Sequence, residues 1–354
     1  MYFQRNGGAA IQKMISEAIK NNKRQITVTG DWEIEQTILL PSYFTLILEN
    51  CHLVMADNTF CNMFTNEYCR TLESRTAADA DHDIHIEGRG RVILDGGPYN
   101  GLSERNHSKE GRPHISVNNI LLFVNVAGFS VSGIHVRNQR WWALNFIYCR
   151  YGQVRNIDFL SDYTYVQPDG TRVQGLTRHE YAAVYIKNSD GIDLRTGCHD
   201  IIIENITGFI EDDSVALTGL NGQLEQMFNV TDLPSDIHNV IVRNINTASY
   251  CSNVRLLNQG GVKLYNILID GVMDASRNSP YMDRGGCGVR VGDNHLYGER
   301  HSLPEETAQI TIRNVYSRAT RAVSLAGSIT GLVLDNIQSF DGCDVKIDNQ
   351  ASLF

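Results

Sequence analysis

The stretch Asn188–Leu217, "NSDGIDLRTGCHDIIIENITGFIEDDSVAL", decides the fold. Two acidic clusters flank the β-branched run "IIIENI", although aspartate is normally depleted from strands. That run is one copy of a word that returns along the chain as "FSVSGIHVRN", "GQVRNIDF", "NVIVRNINTA", "YNILIDGVMD", "QITIRNVYS" and "GLVLDNIQS". Each copy closes on Asn or Gly and continues with Ile or Val. Aligned on that apolar residue, Ile134 and Ile157 stand 23 residues apart, and Val315 and Ile337 stand 22 apart. The wider interval from Ile157 to Ile206, 49 residues, fits two turns with loops added.

Self-similarity at a fixed period means stacked units, none of which can bury its apolar face alone. With strands and almost no helix, the unit is one coil of a right-handed parallel β-helix, an all-β fold. A β-sandwich also alternates short strands with turn signals, but it gives no reason for the Asn–Ile word to return at one phase. From Gly8 to Asn21 the apolar residues Ala10, Ile11, Met14, Ile15, Ala18 and Ile19 recur at helical spacing. This predicts a short helix over about 8–21 that caps the open first coil, where unpaired backbone would invite edge-to-edge association. The expected organisation is one β-helix domain over residues 1–354.

Coil spacing then explains the opening stretch. Asp190 and Asp212 are 22 residues apart, one coil, so the acidic clusters fall beside each other on strands ~4.8 Å apart. The apolar run is the cylinder wall between them. Like charges packed so closely raise at least one carboxyl pKa, which calls for a reason.

Composition narrows the partners. A formal charge of −9 over 354 residues, with no basic run, argues against nucleic acid. No apolar run approaches the ~18 residues of a membrane span. The eight cysteines are scattered without zinc-ligand spacing and read as reduced core thiols. The first residues, "MYFQRNGGAAIQKMISEAIKNNKR", lack the continuous apolar segment of a secretory signal. A cytoplasmic location is therefore expected ahead of secretion with a removed leader.

At the acidic clusters the chain resembles glycoside hydrolase family 28, the polygalacturonase-like enzymes. The family's words are Asn-Thr-Asp-Gly-Ile/Phe-Asp and, one coil later, Gly-Asp-Asp before a small or apolar residue. Here they read "NSDGID" (Asn188–Asp193) and "EDDSVAL" (Glu211–Leu217). Upstream, Arg112–Pro113 and "RNQRWWALNFIYC" (Arg137–Cys149) look like the family's Asn-x-x-x-Trp segment beneath the sugar, so the likeness runs from about Ile84 onward. The resemblance implies inverting hydrolysis of a glycosidic bond in a pectic or other plant-type saccharide, with no cofactor and no metal. Asp212 would be the general acid, with Asp190 and Asp213 holding the water. An inverting pair of carboxyls ordinarily stands ~6.5–9.5 Å apart.

Two departures from the family pattern bear on the substrate. In "YCSNVRLL", Ser252 or Asn253 stands where the family has the His of Gly-His-Gly, and the later Arg-x-Lys is missing, its nearest counterpart being Arg290 in "GCGVRVGD". Arg255 and Arg290, in strands, and Lys263 are candidate grips for a sugar carboxylate, while Asn188 and the loop residue His179, which could reach the cleft rim, are further candidate substrate-binding residues. Trp141 and Trp142 are tandem, so only one can meet solvent; Trp142 is the candidate stacking platform. Three readings compete with the hydrolase: a calcium site at the carboxylates, a polysaccharide lyase or epimerase on the same scaffold, and a β-helical protein that binds carbohydrate without cleaving it. The sequence leaves the oligomeric state open.

Overall fold

The computed structural model describes residues 2–57, 59–70, 76–97, 115–139, 142–161, 165–166, 172–173, 190–220, 227–258, 261–275, 285–292, 300–348 and 351–354. Two ten-stranded sheets dominate it. One is built from long strands, from Gln25–Ile34 to Val333–Ser339, and the other from short strands, from Ile38–Leu40 to Cys343–Ile347. Each coil gives one strand to each sheet, and neighbours in a sheet are parallel and one coil apart. The fold is the right-handed parallel β-helix expected from the repeat.

The aligned apolar residues form one continuous column. Ile134, Ile157, Ile206, Ile245, Val272, Val315 and Ile337 are successive register partners. All but Ile337 are fully buried. One expectation is corrected here: Ile157 and Ile206 are direct partners, so their 49-residue interval is a single coil. The extra length leaves the coil between Ser161 and Asp190 without shifting the register, as surface insertions can.

The residue before each column member sits at positive φ, close to 55°, in Asn156, Asn205, Asn244, Asn314 and Asn336, with Gly133 and Gly271 in the other two coils. Left-handed backbone clashes with most L side chains but is tolerated by Asn and Gly. The asparagines also bond to one another up the stack, Asn205 Nδ2 donating to Asn156 Oδ1 at 3.1 Å and Asn244 Nδ2 to Asn205 Oδ1 at 3.2 Å. The Asn–Ile word is therefore a corner followed by the first core residue of the next face.

At the N-terminal end the helix Gly7–Lys20 lays Ile11, Ile15 and Ala18 against the first coil. Its free amides at Gly8 and Ala9 donate to the Glu35 carboxylate at 3.1 and 2.9 Å, the N-terminal arrangement that the helix dipole favours. The Gln12 side chain accepts from the Leu39 amide at 2.7 Å and donates to the Leu39 carbonyl at 3.3 Å. One side-chain amide thus pairs with the edge strand Ile38–Leu40 as a strand would. No described helix is long and apolar enough to cross a membrane.

Candidate active site

The short-strand sheet carries the acidic cluster. In its strands Ile192–Arg195, Val215–Gly219, Ser252–Asn258 and Cys287–Val291, the residues Ile192, Leu194, Val215, Leu217, Val254, Leu256, Val289 and Val291 belong to the interior core. Strand alternation sends the residues between them to the outer face. There the register lines up Asn145, Asp193, Ala216, Arg255 and Arg290 as one row crossing five coils.

A second row lies three residues earlier. The Gly191 amide donates to the Asp213 carbonyl at 2.9 Å and the Ile192 amide to the Ser214 carbonyl at 3.0 Å. Asp190 is therefore the coil partner of Asp213, and Asp212 lies one residue outside the register. The Asp213 amide donates to Asp190 Oδ1 at 3.1 Å, and the Ser249 hydroxyl donates to the Asp212 carbonyl. Gly191 is required between them: a Cβ there would sit 2.6 Å from the Ser214 carbonyl oxygen and 3.3 Å from the Phe159 ring. One oxygen each of Asp190, Asp212 and Asp213 lies within 4.8 Å of the others.

Burial sets the electrostatics of this cluster. Asp190 is only 8 % exposed, and burial, then the charges of Asp193, Asp212 and Asp213, hold its carboxyl well above the usual carboxylate range. Burial pushes Asp193 up to about 7 even though Arg195 opposes it. Asp213 is pushed up to about 6, by burial first and Asp212 second, against the pull of Arg255. Carboxyls raised in this way exchange protons near neutral pH, as acid–base catalysis requires.

Two arginines are buried beside them. Arg195, 2 % exposed, donates from Nη2 to Asp193 Oδ1 at 3.3 Å and stacks on the Trp142 ring, 3.4 Å from its centroid. Arg255 points away from the cylinder interior but is only 4 % exposed, and its Nε and Nη2 have no hydrogen-bond partner among the described residues. The same holds for the Asn145 carboxamide and for Asp213 Oδ1. Buried polar atoms normally find partners, and leaving them unpaired costs ~1–3 kcal/mol each.

No family model matches the chain, and no curated protein matches it in sequence. Solved structures do match in shape. The exopolygalacturonase of Thermotoga maritima superposes with a TM-score of 0.50 at 12 % identity, covering 98 % of this chain and 87 % of its own. The tailspike protein of E. coli bacteriophage HK620, solved in complex with a pentasaccharide, gives 0.58 at 14 % identity over 100 % of this chain and 58 % of its own. The surface adhesin PfbA of Streptococcus pneumoniae gives 0.55 at 12 % identity, covering 96 % and 78 %. These likenesses establish the fold alone.

The structure sorts the remaining expected site residues. Asp190, Asp212 and Asp213 come together, and Arg255 and Arg290 are register partners on the same outer face. Of the two residues at the family's His position, Ser252 heads the strand Ser252–Asn258 in line with Asp213, whereas the Asn253 side chain is spent on the Thr247 carbonyl at 2.6 Å and hydroxyl at 2.8 Å. Asn188, His179 and Trp141 lie outside the described residues. Trp142 departs from expectation: it is 5 % exposed, packs with Leu122, Val124, Ile147, Tyr148, Phe228 and Val230, and carries the Arg195 guanidinium on its ring in place of a sugar. Asp193 and Arg195 were not singled out by the sequence. Their signal was the in–out alternation of "IDLR" immediately after Gly191.

Proposed function

We propose that this protein is a glycoside hydrolase of the polygalacturonase-like type, acting on a pectic or related saccharide. The observation that supports this reading best is the meeting of Asp190, Asp212 and Asp213 on a face that also carries Arg255 and Arg290. In the proposed reaction Asp212 gives its proton to the leaving glycosidic oxygen. A water held by Asp190 and Asp213 attacks the anomeric carbon and passes its proton to one of them. Two hydrogen bonds of ~2.8 Å from one water bridge acceptors up to ~5.6 Å apart, so the spacing of 4.8 Å or less suits a shared water.

That spacing is shorter than the ~6.5–9.5 Å anticipated for an inverting pair and near the ~5–5.5 Å of a retaining one. Product stereochemistry therefore tests the mechanism directly. NMR of the first-formed product from the best substrate is expected to show inverted anomeric configuration. Retention would turn one of the paired carboxylates into a nucleophile and remove its water-holding role.

The activity itself is tested on a panel of pectic and neutral oligosaccharides, with release of new reducing ends as the expected result. An unsaturated, ultraviolet-absorbing product would identify a lyase. Saturable binding without cleavage would identify a carbohydrate-binding protein, a reading favoured by Ser252 standing where the family has its His. Arg290 belongs to the outer row and is half-buried. Charge-assisted bonds contribute ~1.5–3 kcal/mol, so Arg290→Ala is expected to raise KM about tenfold or more for a galacturonide and to leave a neutral galactoside unchanged. Equal effects on both sugars would make Arg290 a charge-balancing residue that recognises no carboxylate.

A further inference from the structure

A second cluster of ligating side chains lies on the other sheet. His199 and His238 are register partners on neighbouring long strands, with ring centroids 4.7 Å apart and planes 5° from parallel. Asp200, at a corner with φ 55°, places Oδ2 2.6 Å from His199 Nδ1, and its Oδ1 accepts from Asn239 Nδ2 at 3.1 Å. One ligand atom from each of the three lies within 4.8 Å of the others, and all three residues are partly buried, the His199 side chain 14 % and the Asp200 side chain 38 % exposed. His238 Nδ1 is buried without a hydrogen-bond partner among the described residues. Tyr265 stacks on the far side of His238 at 4.7 Å, and Tyr151 meets His199 edge-on at 5.6 Å.

We propose that His199, His238 and Asp200 bind a divalent transition-metal ion of the zinc type across two adjacent coils. Two imidazole nitrogens with one carboxylate oxygen suit Zn²⁺, whereas Ca²⁺ and Mg²⁺ require an oxygen-dominated shell. The ion would take the place of the proton shared by Asp200 Oδ2 and His199 Nδ1, 2.6 Å apart, so that both atoms become ligands. Bonds of ~2.0–2.1 Å to a tetrahedral ion bring two nitrogens to ~3.3 Å, so the rings must tilt toward each other from their present stack. The ion would link the two coils at their corners, on the sheet opposite the carboxylate trio.

The test uses chelator-stripped full-length protein titrated with ZnCl₂ by calorimetry at a fixed neutral pH, alongside Co²⁺ absorption spectra. One saturable site per chain is expected, weakened at least tenfold by His238→Gln and at least tenfold by Asp200→Asn, each of which removes a ligand. Melting curves of both variants without metal check that they fold. Absence of binding to the wild type, or binding undiminished in the His199→Ala/His238→Gln double variant, would overturn the proposal. So would binding that is lost only in Asp212→Asn, because it would place the ion at the carboxylate trio.

Discussion

Replacing Asp212 with Asn is expected to lower the turnover of the best saccharide substrate by at least ~10²-fold, the usual worth of general acid catalysis. The amide has nearly the same shape but cannot deliver a proton to the leaving oxygen. The loss should appear in kcat with KM little changed, the signature of an interaction made only in the transition state. Folding should survive, because the amide is nearly isosteric with the carboxylate, the Ser249 hydroxyl bonds to the backbone carbonyl of residue 212, and the contact from the Asp213 amide goes to Asp190. Melting temperature and circular dichroism should therefore match the wild type. A variant that cleaves at the wild-type rate would remove Asp212 from the acid role, and one that fails to fold would mean that the trio is structural.

The largest expected loss of stability comes from the interior. Phe146→Ala should destabilise the protein by about 3–5 kcal/mol, the range for truncating a buried aromatic ring. Phe146 is fully buried, stacked on Phe129 at 4.8 Å and meeting Phe123 edge-on at 6.0 Å. It pairs in register with Leu194, on the strand that presents Asp193 and Arg195 to the outer face. A cavity there leaves the aromatic stack without its middle member. Urea unfolding should show the loss, whereas truncating the exposed Phe340 should cost less than ~0.5 kcal/mol. Because coils interact chiefly with their neighbours, hydrogen exchange should rise first in the Leu144–Ile147 and Ile192–Arg195 strands. Equal sensitivity at Phe146 and Phe340 would contradict the packing described.

Much of this was readable in the sequence, because the Asn–Ile word joins a backbone demand to a burial demand. Left-handed corners call for Asn or Gly, and the next residue must fill the core, so the two constraints recur together and reveal the coil. The number of coils was harder to read. The step from Ile157 to Ile206 looks like two turns because length is counted along the chain, whereas register is set by backbone pairing that ignores what loops out between strands. The partner of Asp190 was displaced by one residue for a related reason: pairing runs to Asp213, and Asp212 sits where the strand has yet to begin. Alternation could not reveal how far this outer face is covered, so the expectation of an open stacking platform failed for Trp142.

The column from Ile134 to Ile337 stays in register while coil length varies between 22 and 49 residues. Chain can thus be inserted or deleted between strands without moving a core residue or the row of carboxylates. For a lineage under selection this uncouples two searches. The carboxylate geometry can be held fixed by the frame, while the walls around it are rewritten by changes in loop length that cost little in folding. Descendants of such a frame can diverge in what they bind far faster than in how they are built, and shape can remain recognisable after sequence identity has fallen to 12–14 %.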